Sequence, residues 1–260
     1  MRWSRQDAQQ NSLKMSGRGI EGIIAGCDKN QEWLLPWWWE HYSEHNPYPV
    51  AFADYGMSET SAAWCRERGL YFKAPEIERA AKEKVSSENK ILWEKHYGEG
   101  IWFHRELCLR KPFVLLASPF PVSIWLDVDC RVRGNLEPLF ELIRSGAEIG
   151  MRREPDQVQA SHRKKGFLLQ DEINYNSGVI PYRKNGNVLR DWTTQIRENS
   201  GEFVFDQHAF SRAIHLNQTT MVELPEIYNW SPGDGPNPEA LVYHFHGAFL
   251  KDPALMYFFP

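Results

Sequence analysis

Short apolar runs alternate with amphipathic segments through the first third of the chain. Residues 20–25 (IEGIIA) are rich in β-branched side chains and run into a polar turn, which predicts a strand. Residues 32–44 carry Trp, Leu and Tyr at helical spacing. Residues 49–53 and 70–73 predict two further strands, and Ser58 is placed to cap the helix between them. The order β-α-β-α-β predicts a parallel sheet wrapped by helices.

The remaining two thirds of the chain contain one strand signal that is stronger than the others. Residues 122–126 (VSIWL) are fully apolar, as expected of a strand at the centre of a sheet. Residues 152–172 contain five basic residues and few apolar anchors, which predicts a mobile loop. The other predicted elements are a partly helical segment over residues 75–99, a helix over 102–117 divided by Pro112, a helix over 135–145, strands over 147–151 and 174–182, helices near 187–198 and 206–214, and strands over 222–225 and 241–244.

The chain shows no internal repeat, no low-complexity block and no linker rich in Gly or Ser. We therefore predict one α/β domain over residues 20–260, with a mostly parallel central sheet flanked by helices. The polar residues 1–19 predict a flexible N-terminal tail.

Composition and charge narrow the function classes. The chain has 30 Lys and Arg against 34 Asp and Glu, and this mild acidity argues against a nucleic acid held mainly by charge. No apolar run approaches the roughly 18 to 20 residues that span a bilayer, and the N-terminus lacks the apolar core of a signal peptide. We therefore expect a cytoplasmic protein. The four cysteines are scattered without CxxC spacing, which argues against a thiolate zinc site.

The sharpest chemical signal is the pair of carboxylates, Asp127 and Asp129, that follows the apolar strand 122–126. Alternate residues of an extended segment point the same way, so both side chains can face one point beyond the strand end. Ligands of open α/β sheets bind outside the carboxyl ends of the strands. Two carboxylates there predict a site for Mn²⁺ or Mg²⁺, which typically bridges to a phosphate. The alternative is a pair of exposed turn carboxylates.

A second signal is the segment YHFHG at residues 243–247, followed by Lys251. Imidazole can complete a manganese shell, and in an extended segment His244 and His246 would point the same way. Gly247 would let the backbone approach a phosphate, and Lys251 would neutralise it. The alternative is a surface histidine pair near the C-terminus.

These signals belong to an ordered set that resembles a known family. The set is Ala25 and Asp28, Leu126-Asp127-Val128-Asp129, Asn176-Ser177-Gly178, Asp206-Gln207, Leu224-Pro225-x-x-Tyr228-Asn229-Trp230, and His244-x-x-Gly247 with Lys251. It resembles the GT-A glycosyltransferases and is most similar to glycosyltransferase family 8, the group of glycogenin and the bacterial lipopolysaccharide galactosyl- and glucosyltransferases. The resemblance covers about residues 20–251.

The resemblance implies a role for each matching residue. Asp127 and Asp129 would hold Mn²⁺ or Mg²⁺ and, through it, the diphosphate of a UDP-sugar, with His244 as the third protein ligand. Asp127 would also lie near the ribose and the sugar. The other implied roles are contacts of Ala25, Asp28 and Asn30 with uracil and ribose, of Asn176 and Gly178 with the sugar and acceptor cleft, of Lys251 with the diphosphate, and of Asp206 and Gln207 with the anomeric carbon.

Two assignments stay open within the resemblance. The family usually ends in H-x-x-G-x-x-K-P-W, whereas here Lys251 lies one residue further from Gly247, so His244 and His246 both remain candidates for the metal. The family also tends to carry a basic residue upstream of the DxD pair that touches the phosphates. Arg105, Arg110 and Lys111 compete for that role.

The expected function is metal-dependent transfer of a sugar from a UDP-sugar to a hydroxyl acceptor such as a glycan or a lipopolysaccharide, with retention of the anomeric configuration if the family assignment holds. Peripheral contact with a membrane stays open. The alternatives are a non-catalytic nucleotide-sugar-binding protein and a metallohydrolase that uses the Asp and His cluster. Asp206 would alternatively cap the helix that follows it.

Overall fold

The computed structural model of the chain describes residues 21–77, 84–247 and 251–259. The predicted N-terminal tail, residues 1–19, lies outside the described residues, as does part of the segment predicted to be partly helical, residues 78–83. No helix within the described ranges combines the length and the apolar character that crossing a bilayer requires.

The described residues form ten strands and ten α-helices. The strands are β1 (Glu21–Cys27), β2 (Val50–Asp54), β3 (Leu70–Lys73), β4 (Val122–Leu126), β5 (Cys130–Val132), β6 (Gly150–Arg153), β7 (Tyr175–Asn176), β8 (Val179–Arg183), β9 (Val222–Glu223) and β10 (Val242–His244). The helices are α1 (Leu35–His45), α2 (Glu59–Arg68), α3 (Ser87–Tyr97), α4 (Ile101–Leu109), α5 (Lys111–Ala117), α6 (Glu137–Arg144), α7 (Asp156–Lys164), α8 (Asn187–Asn199), α9 (Asp206–Asn217) and α10 (Pro253–Phe258).

A five-stranded sheet in the order β3-β2-β1-β4-β8 forms the centre of the structure. The first four strands are parallel, and β8 pairs antiparallel with β4. This confirms the predicted mostly parallel sheet flanked by helices. Because the parallel strands share a direction, the residues after β1, β2 and β4 all reach the same edge of the sheet, where ligands bind in open α/β folds.

The sheet is buried on both faces, as its continuous apolar strands predict. Ile23 packs into a core that includes Trp38 of α1 and Phe140 of α6. The next residue, Ile24, packs on the opposite face with Val114 of α5 and with side chains of α8. Successive strand residues thus anchor helices on opposite faces of the sheet.

The segment 152–172 differs from its prediction, because it is not a loop throughout but contains the helix α7. Polar contacts rather than apolar anchors hold this helix. Gln159 is buried and donates a hydrogen bond to the carbonyl oxygen of Glu154 at 2.9 Å, and Arg163 donates to the carbonyl oxygen of Glu172 at 2.7 Å. A helix that is held by buried polar groups does not show the helical spacing of apolar residues in its sequence. This explains why the segment was wrongly predicted to be a loop.

The segment 174–182 also differs, because it forms two strands instead of one. β7 pairs with β6, and β8 pairs with β4 in the central sheet, with Ser177 and Gly178 between them. The short strand β5 was not predicted, and it pairs antiparallel with β10. The predicted division of residues 102–117 is confirmed, since α4 ends at Leu109 and Pro112 lies in the first turn of α5.

Candidate active site

The candidate site lies where β4 ends, and a turn rather than an extended segment brings its two carboxylates together. β4 stops at Leu126, and the N–H of Cys130 then donates to the carbonyl oxygen of Asp127 at 2.9 Å. The N–H of Asp127 donates to the carbonyl oxygen of Gly178 at 2.9 Å, which ties this turn to the start of β8. The alternation expected from the sequence is therefore not what orients Asp127 and Asp129.

His244 ends β10 and faces both carboxylates. Antiparallel pairing sets His244 opposite Cys130, and the N–H of Phe245 donates to the carbonyl oxygen of Asp129 at 3.0 Å. Nε2 of His244 lies 3.3 Å from Oδ1 of Asp129 and 3.6 Å from Oδ2 of Asp127. The strand pairing thus joins residues that are more than a hundred positions apart in the sequence.

Two amide side chains contact the other nitrogen of the His244 ring. Nδ1 lies 3.1 Å from Oδ1 of Asn176 and 3.0 Å from Oδ1 of Asn229. The oxygen of Asn176 is assigned by the N–H of Gly178, which donates to it, while its amide nitrogen donates to Glu154. Both neighbours of Nδ1 are acceptors, so this nitrogen is placed to donate a hydrogen bond, and Nε2 is the ring nitrogen directed at the two carboxylates.

Gly178 allows this placement of His244. A β-carbon added at Gly178 would lie less than 3.0 Å from three atoms of the His244 ring. The glycine that the sequence analysis assigned to the sugar cleft therefore lies directly against the histidine, and its lack of a side chain makes room for the ring.

The structure brings one of the three competing basic residues to the site. Lys111 is buried at the start of α5, and its ammonium donates to Oδ1 of Asp127 at 3.0 Å and to the carbonyl oxygen of Ser177 at 2.9 Å. Arg105 instead donates to the carbonyl oxygens of Ser200 and Phe203. Arg110 donates to carbonyl oxygens of residues 74 and 75.

Lys111 also lies between Asp127 and Asp206. Its ammonium lies 3.8 Å from Oδ2 of Asp206, a buried oxygen with no hydrogen-bond partner among the described residues. Burial alone would lower the pKa of Lys111, but the charges of Asp127 and Asp206 outweigh it and raise that pKa. Burial raises the pKa of the Asp206 carboxyl, against the opposing charge of Lys111.

Asp206 and Gln207 begin α9, and Phe205 rather than Asp206 is the residue that precedes the helix as its N-cap. The carbonyl oxygen of Asp206 accepts the indole N–H of Trp192 at 2.9 Å, and that of Gln207 accepts the Ser211 hydroxyl at 2.8 Å. Trp192 of α8 thus holds the backbone of Asp206, whereas the contact of Gln207 lies within α9 itself. The side chain of Gln207 is only half-buried.

Asp129 is paired with Lys251 as well as with His244. The Lys251 ammonium lies 2.8 Å from Oδ2 of Asp129. Burial alone would raise the pKa of Asp129, but the charges of Lys251 and His244 outweigh it and hold the pKa well below its usual range. His246 follows the end of β10 and is exposed, with its ring centre 5.1 Å from that of His244.

The residues around His244 fit a hard divalent cation. Oδ1 of Asp129 is buried and accepts no hydrogen bond within the described part of the chain, which leaves it available as a ligand. Its distance to Nε2 of His244, 3.3 Å, suits ligand atoms at right angles around a small cation, which lie about 3 Å apart. Asp129, Cys130 and His244 form the group whose ligand atoms all lie within 4.8 Å of one another.

Cys130 is the poorest ligand of that group. Its thiol is buried and contacts the carbonyl oxygen of Gly178 at 3.6 Å, and burial raises its pKa well above the ordinary value. A protonated thiol is not a metal ligand, whereas carboxylate and imidazole suit Mn²⁺. Asp127, whose Oδ2 lies 3.6 Å from Nε2 of His244, is the more suitable third donor by its chemistry.

The predicted nucleotide-side residues lie along the same sheet edge. Ala25 is buried inside β1, and Asp28 is buried just after it, accepting hydrogen bonds from Asn30 at 2.9 Å and from the N–H of Gln31 at 3.2 Å. Asn30 itself is exposed. Gly247 has a φ of +83°, a backbone conformation that favours glycine.

Three residues at the site received no role from the sequence. Glu154 and Asn229 hold the amide network behind His244, and Trp125 donates to Asp127 at 2.7 Å. Asn229 lies in the segment that carries the family resemblance, and Trp125 lies two residues before Asp127. Glu154 could not be recognised from the sequence, because it lies in the segment predicted to be a loop.

Comparison with solved structures identifies glycosyltransferases as neighbours of this fold. Mouse xyloside xylosyltransferase 1 matches with a TM-score of 0.56 and 15% identity, over 90% of this chain and 100% of that one. Galactosyltransferase LgtC, solved with donor and acceptor sugar analogues, matches with a TM-score of 0.58 and 14% identity, over 88% of both chains. Glycosyltransferase GlyE of Streptococcus pneumoniae matches with a TM-score of 0.58 and 12% identity, over 89% of this chain and 55% of that one.

Comparisons with protein-family models and with curated protein sequences found no match. At these identities the structural likeness concerns the fold, and it confirms the GT-A fold that the sequence predicts. The function is argued from the site.

Proposed function

We propose that this chain is a metal-dependent glycosyltransferase that moves a sugar from a UDP-sugar to a hydroxyl group of an acceptor such as a glycan or a lipopolysaccharide. The observation that carries the proposal is the position of His244. Its Nε2 faces Asp127 and Asp129, while hydrogen bonds at Nδ1 fix the ring. Two carboxylates that converge on one ring nitrogen concentrate negative charge at a single point, and a divalent cation bound there by all three side chains would neutralise it.

A divalent cation held by Asp127, Asp129 and His244 would stabilise the negative charge of a departing diphosphate. The chain's own cations flank the same place. Lys111 lies beside Asp127, and Lys251 lies beside Asp129, so positive charge surrounds the predicted diphosphate position on two sides. Fixed charges of this kind act mainly on the transition state, where the leaving group is most negative.

Sugar transfer breaks the bond between the anomeric carbon and the diphosphate oxygen, and the electron pair leaves with the diphosphate. The acceptor hydroxyl oxygen forms the new bond and loses its proton. If the anomeric configuration is retained by front-side attack, the departing phosphate oxygen is placed to accept that proton. Asp206 and Gln207 would stabilise the positive charge that develops on the sugar, and the hydrogen bond from Trp192 holds the backbone of Asp206 in place for this role.

The nucleotide would bind along the edge formed by the ends of β1, β2 and β4, with Ala25, Asp28 and Asn30 on the side of the base and ribose. Asn176 and Gly178 lie against His244 and so adjoin the predicted position of the diphosphate and the sugar. Gly247 and Lys251 would close the site over the phosphates.

The test is calorimetry and thermal unfolding with UDP, GDP and CDP, each with and without Mn²⁺. A ligand present at a hundred times its Kd stabilises the folded state by about 2.7 kcal/mol. For a chain of this size that corresponds to roughly 5–10 °C in Tm. We expect this increase with UDP only when Mn²⁺ is present, followed by release of UDP from a UDP-sugar.

Variants of the carboxylates give the control. Asp127→Ala and Asp129→Ala should lose the Mn²⁺-dependent affinity for UDP and keep the fold. Asp191→Asn changes a carboxylate on α8 that accepts a hydrogen bond from Thr219, and it should bind as the wild type does. Binding without turnover would favour a non-catalytic nucleotide-sugar-binding protein. No binding of any nucleotide with Mn²⁺ present would refute the proposal.

A further inference from the structure

The side chain of Trp125 contacts both members of the ion pair between Lys111 and Asp127. Its indole N–H donates to Oδ1 of Asp127 at 2.7 Å, and the Lys111 ammonium lies 5.3 Å from the centre of its ring system. A cation near the face of an indole is attracted by the ring, and an indole N–H is a donor only. One side chain therefore binds the carboxylate through its edge and the ammonium through its face.

The strand places Trp125 for this contact. Trp125 is the second-last residue of β4 and Asp127 follows the strand end, so the turn after β4 brings the carboxylate within reach of the indole N–H. Trp125 is 2% exposed and packs in the core cluster that contains Ile24 and Ile180. Because the indole is fixed on all sides, its N–H has little freedom to follow a moving carboxylate.

The two donors hold Asp127 mainly through one of its oxygens. Trp125 and Lys111 both make their shortest contact with Oδ1, at 2.7 and 3.0 Å. Oδ2 accepts a longer hydrogen bond from Lys111, at 3.3 Å, and faces Nε2 of His244 at 3.6 Å. A rotation of the carboxylate away from His244 would break the indole hydrogen bond at a buried position, which is costly.

We propose that Trp125 is a positioning residue that holds Asp127 with Oδ2 directed at the cation site. This inference rests on the proposed function, since it concerns how strongly a divalent cation binds before any sugar is transferred. It adds to the predicted ligands a residue that touches neither the cation nor the substrate.

The test compares Trp125→Phe with the wild type in the affinity for Mn²⁺, measured by electron paramagnetic resonance of free Mn²⁺ with UDP present. Loss of an outer contact to a ligand typically weakens metal binding by about 10- to 100-fold, and we expect a loss in that range. The matched control is Trp38→Phe. Trp38 is equally buried, but its indole N–H has no hydrogen-bond partner among the described residues, so its variant should bind Mn²⁺ as the wild type does.

A double-mutant cycle separates positioning from general loosening of the core. If Trp125 acts through Asp127, then adding Trp125→Phe to Asp127→Asn should cause little further loss of Mn²⁺ affinity. A full additional loss would show that Trp125 acts by another route, and an unchanged affinity in Trp125→Phe alone would overturn the proposal. Absence of Mn²⁺ binding in the wild type would instead refute the proposed function.

A measurement on the protein without metal covers the case in which Trp125→Phe does not fold. Short hydrogen bonds to carboxylates shift the indole proton downfield in nuclear magnetic resonance. One indole resonance of the wild type should therefore lie downfield and move upfield in Asp127→Ala. If no indole resonance responds to Asp127→Ala, the hydrogen bond is absent and the proposal fails.

Discussion

Substitution of Gly178 by alanine would test the link between His244 and the proposed cation site. The added β-carbon would lie less than 3.0 Å from three atoms of the His244 ring. The backbone of Gly178 cannot withdraw easily, because its N–H donates to Asn176 and its carbonyl oxygen accepts the N–H of Asp127. The ring must therefore move away from the two carboxylates.

The expected magnitude follows from the packing. Overpacking of a well-packed interior typically costs about 1–3 kcal/mol, which for a chain of this length is a fall of roughly 2–12 °C in Tm. Displacement of a ligand should weaken Mn²⁺-dependent binding of UDP by at least about 10-fold. The glycine φ is not positive, so the penalty comes from space rather than from backbone strain.

Two further variants make the experiment specific. Gly150→Ala adds a β-carbon less than 3.0 Å from Leu224, away from His244, and should lower Tm without changing UDP affinity. Adding His244→Ala to Gly178→Ala should restore part of the stability, because it removes the ring, but not the affinity. Calorimetry and thermal unfolding measure both quantities. Wild-type affinity in Gly178→Ala would refute the role given to His244, and wild-type stability would refute the packing argument.

The remaining predictions concern other charged and buried groups. Burial alone would raise the pKa of Asp54, but hydrogen bonds from Lys73 and other donors lower it to about 2. The resulting stabilisation of about 2 kcal/mol should be present above about pH 4 and be lost as the pH falls toward about 2. Urea unfolding of the Asp54→Asn variant over the same pH range should show no such loss. Lys111→Met should lower UDP affinity in calorimetry. Arg105→Met should lower Tm and leave the affinity unchanged, because Arg105 donates to the carbonyl oxygens of Ser200 and Phe203 and lies over the ring of Trp93. The four cysteines are free, three are buried, and burial raises the pKa of the thiols, so a thiol reagent should react slowly until urea unfolds the chain.

Local sequence patterns predicted the strands and helices well where the spacing of apolar residues defined them. The strand 122–126 was predicted with its observed bounds, and Ser58 caps α2 as expected, accepting the N–H of Ser61. The prediction failed for α7, which polar hydrogen bonds hold, and for residues 174–182, where a turn divides the strand. In both places tertiary contacts decide the structure, and the spacing of apolar residues in the sequence does not show such contacts.

At the candidate site the sequence supplied the residue types, and the resemblance supplied their roles. It left Arg105, Arg110 and Lys111 as equal candidates, because all three lie on one helical stretch upstream of the carboxylates. Only Lys111 reaches Asp127, since the chain turns between α4 and α5 and directs its side chain toward the end of β4.

The sequence by itself determined the class of the fold and the identity of the groups that end its strands. The spacing of apolar and polar residues is a local property, so the sequence alone reveals it. The tertiary structure alone decided that Nε2 of His244 faces Asp127 and Asp129, that Asn176 and Asn229 hold its other nitrogen, and that Gly178 makes room for the ring. These contacts join segments far apart in the sequence, and their geometry depends on strand pairing and packing, which act only once the chain has folded.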